Sequence, residues 1–76
     1  AEALGRLRKE KSDRKVKQRA EVKTAQVNAP AQKLGRITLG LDDLKAAANA
    51  HELVFVESEG ELTVNGFELV PENTEQ

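Results

Sequence analysis

Leu34, Ile37, Leu41, Leu44 and Ala48 recur at intervals of three and four residues. That spacing lines one face of an α-helix, so it predicts an amphipathic helix over residues 31–50. Pro30, which cannot continue a central strand, is well placed to open it. Gly35 and Gly40 interrupt the run, each costing a helix interior about 1 kcal/mol relative to alanine, and Ile37 and Thr38 are β-branched. The first half is therefore expected to be irregular and residues 41–50 regular.

On either side of this helix the pattern turns to strand. Residues 16–29 read as extended, with Val22, Ala25 and Val27 as buried candidates, and Asn28, Ala29 and Pro30 close the segment. After His51 comes a β-branched and aromatic run over 53–57, then a turn at Ser58, Glu59 and Gly60, then a second run over 61–70 ended by Pro71. Asn65 and Gly66 form a strong hairpin dipeptide that could split this run into two strands. The favoured alternative is one strand with a bulge at Gly66, where the buried set shifts from Leu62 and Val64 to Phe67 and Leu69. The polar tail 72–76 is expected to fray.

Residues 1–15 are strong helix formers, with Ala3, Leu4, Leu7, Lys11 and Arg14 on one face. The apolar stripe stops at Leu7, too short a seam for firm docking, so the helix is expected to continue backwards into a preceding domain. The class is α+β, in one small domain: a basic helix at 1–15, a β-α-β-β module at 16–70 and a flexible tail at 71–76. One helix covers a small, mainly three-stranded sheet whose first two strands are parallel through a right-handed crossover. The place of the third strand stays open. Most branched aliphatic and aromatic residues lie after position 33, so the second half is expected to supply most of the core.

Charge adds an asymmetry that hydropathy does not show. Among residues 1–23 nine lysines and arginines face four carboxylates, whereas residues 24–76 carry three cations against nine carboxylates, giving the net −1. A basic front end on an acidic body points to one end of the molecule approaching a polyanion. The chain has no cysteine, which fits a reducing cytosol. It has no apolar run near the roughly 20 residues that span a bilayer and no signal-peptide pattern. A soluble cytoplasmic protein is expected, excised from a longer one because the sequence opens on alanine.

Catalytic groups are sparse. His51 is the single histidine and reads as a surface residue near a helix end. Ser12 and Ser58 lie in a charged helix and a turn, so no nucleophile, base and orienting acid come together. Asp42 and Asp43 are adjacent, point apart on a helix and complement its positive N-terminus. No metal-ligand spacing or phosphate-binding glycine loop occurs, and Phe55 and Phe67 are expected in the core rather than stacked on bases. Any nucleic-acid binding would be backbone-directed and salt-sensitive.

The segment Leu4-Gly5-Arg6-Leu7-Arg8-Lys9-Glu10-Lys11-Ser12-Asp13-Arg14-Lys15-Val16-Lys17-Gln18-Arg19-Ala20-Glu21-Val22 resembles the C-terminal region of class I aminoacyl-tRNA synthetases of the valyl and isoleucyl type. In that family a helix with a pattern close to L-R-x-x-K-S leaves the anticodon-binding helical bundle. It passes a basic connector resembling K-V-x-x-R-x-E-V and enters a strand ending in glycine or alanine plus proline, matched here by Asn28-Ala29-Pro30. Asp42-Asp43-Leu44-Lys45-Ala46-Ala47, Glu52-Leu53-Val54-Phe55 and Glu61-Leu62-Thr63-Val64 resemble the tail of valyl enzymes of the actinobacterial kind. Both catalytic signatures of the family, H-I-G-H and K-M-S-K-S, are missing. The resemblance therefore implies a noncatalytic, monomeric piece of a valine-tRNA ligase. ATP-dependent attachment of valine to tRNA would belong to the parent enzyme. The piece would hold tRNA or support the bundle, with Arg6, Lys9, Arg14, Lys17 and Arg19 as candidates for phosphate contacts and no cofactor or metal of its own.

Two other likenesses compete. Leu34-Gly35-Arg36-Ile37-Thr38 as a first strand, a short helix and a hairpin around Glu59-Gly60 resemble dimeric swapped-hairpin DNA-binding regulators, although Gly40 stands where they usually carry proline. The Leu34-Gly35-Arg36 start and Val64-Asn65-Gly66 also resemble docking modules of secretion or flagellar rings, without their long closing strand.

Overall fold

The computed structural model describes residues 2–71, so the expected fraying of 72–76 lies outside the described residues. Its elements are α1 (Glu2–Asp13), β1 (Val22–Ala29), α2 (Ala31–Leu39), α3 (Leu41–Ala48), β2 (Leu53–Glu57) and β3 (Thr63–Leu69). The class is α+β as expected, with two helices where one was expected between the first two strands. Among the described residues no helix is long and apolar enough to cross a membrane.

α1 ends in a Schellman-type turn. The Lys15 N–H bonds the Ser12 carbonyl at 3.0 Å, the Val16 N–H reaches back to the Lys11 carbonyl at 3.1 Å, and Lys15 itself adopts φ 59°. A further turn, closed by the Ala20 N–H on the Lys17 carbonyl at 3.0 Å, occupies the connector. These turns correct the expectation of a strand from residue 16. The N–H groups of Arg14, Lys15, Val16 and Ala20 bond locally, and the ladder starts only at Val22.

The weak docking expected of α1 is corrected too. Ala3, Leu7 and Lys11 are only 2%, 0% and 1% exposed. Lys11 lengthens the seam by one turn because its alkyl stem covers apolar surface. Its ammonium donates to the carbonyls of Gln18 at 2.5 Å and Ala48 at 2.7 Å, tying α1 to the connector and to α3.

The helix expected over 31–50 breaks at Gly40, whose φ of −111° and ψ of 32° lie outside the helical well. Contrary to expectation the half before the break is regular, running through Gly35, where a side chain would meet open space. It buries no residue fully, and Leu39 points to solvent at 90% exposure. Only Leu44 and Ala48 of the five-residue stripe are buried. Asn49, left-handed at φ 56°, ends α3. The chain then turns onto the central strand, where the Val22 N–H bonds the Asn49 carbonyl and the His51 N–H bonds the Val22 carbonyl.

The strand order is β2-β1-β3. β1 and β2 are parallel, in register from Ala25 against Leu53 to Ala29 against Glu57, as the strand-helix-strand pattern predicts. β3 lies antiparallel on the other side of β1, which fills the place that sequence left open. β3 is one bulged strand. Between the pairs Gln26–Asn65 and Thr24–Glu68 it spends one residue more than β1, and Gly66 takes φ 58° there. A Cβ on Gly66 would meet only Gln26 at 3.8 Å, so the constraint is conformational rather than spatial. Gly66→Val should therefore cost about 1 to 2 kcal/mol, read as a lower urea midpoint.

Every second residue of β1, from Ala25 to Ala29, packs under the helices with Val22, Val64 and Phe67. Most branched aliphatic and aromatic residues of the core come from the second half, as expected, among them Leu44, Leu62, Val64 and Phe67, while the first half adds Leu7, Val22 and Val27 and several alanines. Ala3, Ala25 and Ala29 are buried at 2%, 1% and 0% exposure. The opposite sheet face is open. There Gln26 donates to Asn28 at 2.7 Å and Asn28 donates to Asn65 at 3.1 Å, with Val54, Val56 and Thr63 exposed beside them.

Candidate nucleic-acid interface

The basic residues of the first 23 divide by what they already touch. Lys9 pairs with Asp13 at 3.3 Å on α1, and Arg14, in the turn that ends α1, pairs with Glu10 at 2.6 Å, four residues apart in each case. Arg14 also lies over the Phe67 ring, 4.5 Å from its centroid, so its guanidinium helps to seat α1 on β3. Arg6 is half-buried, and its Nε has no hydrogen-bond partner among the described residues. Lys11 is held inside the molecule, where burial, reinforced by the nearby Arg8 charge, lowers its pKa below 10.5. These four cations are occupied or enclosed by the fold itself.

Lys17 and Arg19, with Lys15 beside them, differ. All three are exposed and make no ion pair among the described residues, and the same holds for Arg8 on α1 and Lys23 on β1. The connector presents them along a groove of 740 Å³ whose other side is the end of β3, with Leu69, Val70 and Pro71. The groove is rigidly based. The Val70 N–H bonds the Glu21 carbonyl at 3.0 Å, Asn49 donates to the Arg19 carbonyl at 2.7 Å, and Gln18 donates to Ser12 Oγ at 3.2 Å. A strip of apolar surface beside unpaired cations can hold a ribose-phosphate backbone, apolar against the sugar and charged against the phosphates.

Of the five candidates chosen from sequence, the structure thus groups Lys17 and Arg19 on one surface and leaves Arg6 and Lys9 on α1 and Arg14 in the turn that ends it. The missed residue is Lys15. It belongs to the same basic run, but its exposure follows from the helix-ending turn, which carries no glycine to announce it. His51 is a surface residue, as expected, and its Nε2 lies 2.7 Å from a Glu21 carboxylate oxygen. Asp42 and Asp43 are exposed in the first turn of α3, where they complement its N-terminus.

The topology also bears on the competing likenesses. Residues 34–38 form helix where the swapped-hairpin regulators would need a first strand. β1 stands between β2 and β3, so Glu59 and Gly60 close no hairpin. The Leu34-Gly35-Arg36 start of the ring-docking likeness is helical as well. Compared with known proteins, the chain matches no family model, no curated protein and no solved structure.

Proposed function

We propose that this chain is a noncatalytic RNA-binding module whose cationic connector grips the phosphate backbone of a tRNA. The observation that carries this reading is the row of Lys15, Lys17 and Arg19, exposed and without ion pairs among the described residues on a braced groove. The likeness of residues 4–22 to the C-terminal region of valyl-type synthetases supplies the rest. In that reading the parent enzyme attaches valine to tRNA with ATP in the cytoplasm, and this module holds the tRNA beside the anticodon-binding bundle.

Relative to the five residues chosen from sequence, the phosphate contacts move off α1 and onto the connector. Replacing Lys17 and Arg19 together by glutamate should weaken tRNA binding at low salt. It should also make the salt dependence shallower by about one unit for each phosphate that is no longer neutralised. Lys9→Glu, which breaks a pair with Asp13, should change affinity less. Fluorescence anisotropy with labelled tRNA measures both, and circular dichroism confirms that the variants fold. Unchanged affinity of the Lys17 and Arg19 double variant would overturn the connector as the binding surface.

A further inference from the structure

The two edges of the sheet are not equally protected. β3 carries the Gly66 bulge, a device that keeps an edge from pairing further. β2 carries neither a bulge nor a proline nor a lysine. Its pairing with β1 is bracketed by the Ala25 N–H on the Glu52 carbonyl and the Ser58 N–H on the Ala29 carbonyl. In a parallel ladder this phase turns the peptide groups of 52, 54, 56 and 58 towards β1 and those of 53, 55 and 57 away from it. The N–H and C=O of Leu53, Phe55 and Glu57 thus face outwards. Beside this open row, on the uncovered face, stand Val54 and Val56 at 41% and 39% exposure.

We infer that β2 pairs, antiparallel and edge to edge, with β2 of a second copy of this chain, on a twofold axis at Phe55. Phase and charge both select this register. Only the outward-facing residues can exchange hydrogen bonds, and centring on Phe55 matches all three of them: Phe55 with its own copy, and Leu53 with Glu57 twice. A register centred on Val54 would need the His51 N–H, which already bonds the Val22 carbonyl. Centring on Phe55 sets Val54 opposite Val56 of the second copy, His51 opposite its Glu59 and Glu52 opposite its Ser58. No carboxylate faces another directly, although Glu52, Glu57 and Glu59 all lie at this edge.

The result is a continuous six-stranded sheet, distinct from an intertwined dimer. It leaves the cationic groove free, because β1 separates β2 from β3. The contact is small, so the chain is a monomer when dilute, as the sequence leads one to expect, and a dimer when concentrated.

Sedimentation equilibrium from about 10 µM to about 1 mM, a span suited to small, weak interfaces, should show the average mass rising towards twice the monomer value. In hydrogen exchange the Leu53, Phe55 and Glu57 amides should gain protection with concentration. Val54→Lys with Val56→Lys sets like charges opposite each other and should weaken the association at least about tenfold. Val54→Glu with Val56→Lys sets opposite charges there and should restore it. Both positions are exposed on the open face, and thermal melts check that the variants remain folded. A monomer at every concentration, a dimer indifferent to the double lysine, or a failure of the Glu and Lys combination to restore pairing would each overturn the proposal.

Discussion

Lys11→Ala should remove about 3 to 5 kcal/mol of stability, the largest effect expected of any single substitution in this chain. The side chain is 1% exposed and does two jobs at once. Its stem continues the seam of Ala3 and Leu7, and its ammonium is the donor for the Gln18 and Ala48 carbonyls. Alanine leaves a cavity and two carbonyls without their donor. A chain of this size has a total stability of about 4 to 11 kcal/mol, so the variant should be partly unfolded at ambient temperature. Lys11→Met keeps the stem, forfeits the hydrogen bonds and should cost about half as much.

The same residue sets the pH dependence. Burial and the Arg8 charge lower the folded-state pKa of Lys11 below the 10.5 of an unfolded chain. Between the lowered value and 10.5 the unfolded state therefore binds more protons than the folded state, and the unfolding free energy rises with pH. Below that window the cost of burying the charge applies in full. The neutral amine keeps two N–H groups, enough for both carbonyls. With no tyrosine or cysteine in the chain, neither a phenol nor a thiol titrates across the window. Urea midpoints should therefore climb as pH approaches 10.5 in the unaltered chain. The Lys11→Met variant should lack that rise, and a fall in the unaltered chain would contradict the assignment.

Leu7→Ala comes next, at the upper end of the roughly 2 to 5 kcal/mol that emptying a leucine site costs. Leu7 is fully enclosed, whereas Leu44, on the helix stripe most visible in the sequence, keeps 8% of its surface exposed. Leu44→Ala should accordingly fall lower in the same range. Urea unfolding of the two variants side by side tests the order. If Leu7→Ala were the milder, α1 would be an appendage and residues 16–70 the folding unit, as the short apolar stripe of α1 first implied.

What the sequence made legible was local. The β-branched run over 53–57, the alternation of Ala25 and Val27, and the bulge at Asn65-Gly66 each follow from a side chain's own backbone preference or from a period of two. The break at Gly40 did not follow, because the stripe of Leu34, Ile37, Leu41 and Leu44 keeps its spacing straight through it. Nor did the turns before Val22, since Lys15 takes a left-handed conformation that composition assigns to glycine. The spacing of four in Lys9–Asp13 and Glu10–Arg14 carries a pairing signal that the count of net charge passes over. The stacking of Arg14 on Phe67 was not legible, because it depends on where α1 lands on the sheet. Strand order lay out of reach for the same reason.

That order has a consequence for how the protein is made. The central strand is the first strand to be synthesised, and its partners begin at Leu53 and Thr63. While the ribosome is still adding residues, β1 emerges with both flanks bare and nothing nearby to cover Val27 and Ala29. Neither pairing can be replaced by a local one, so β1 stays bare on both flanks until β2 has been made and on one flank until β3 follows.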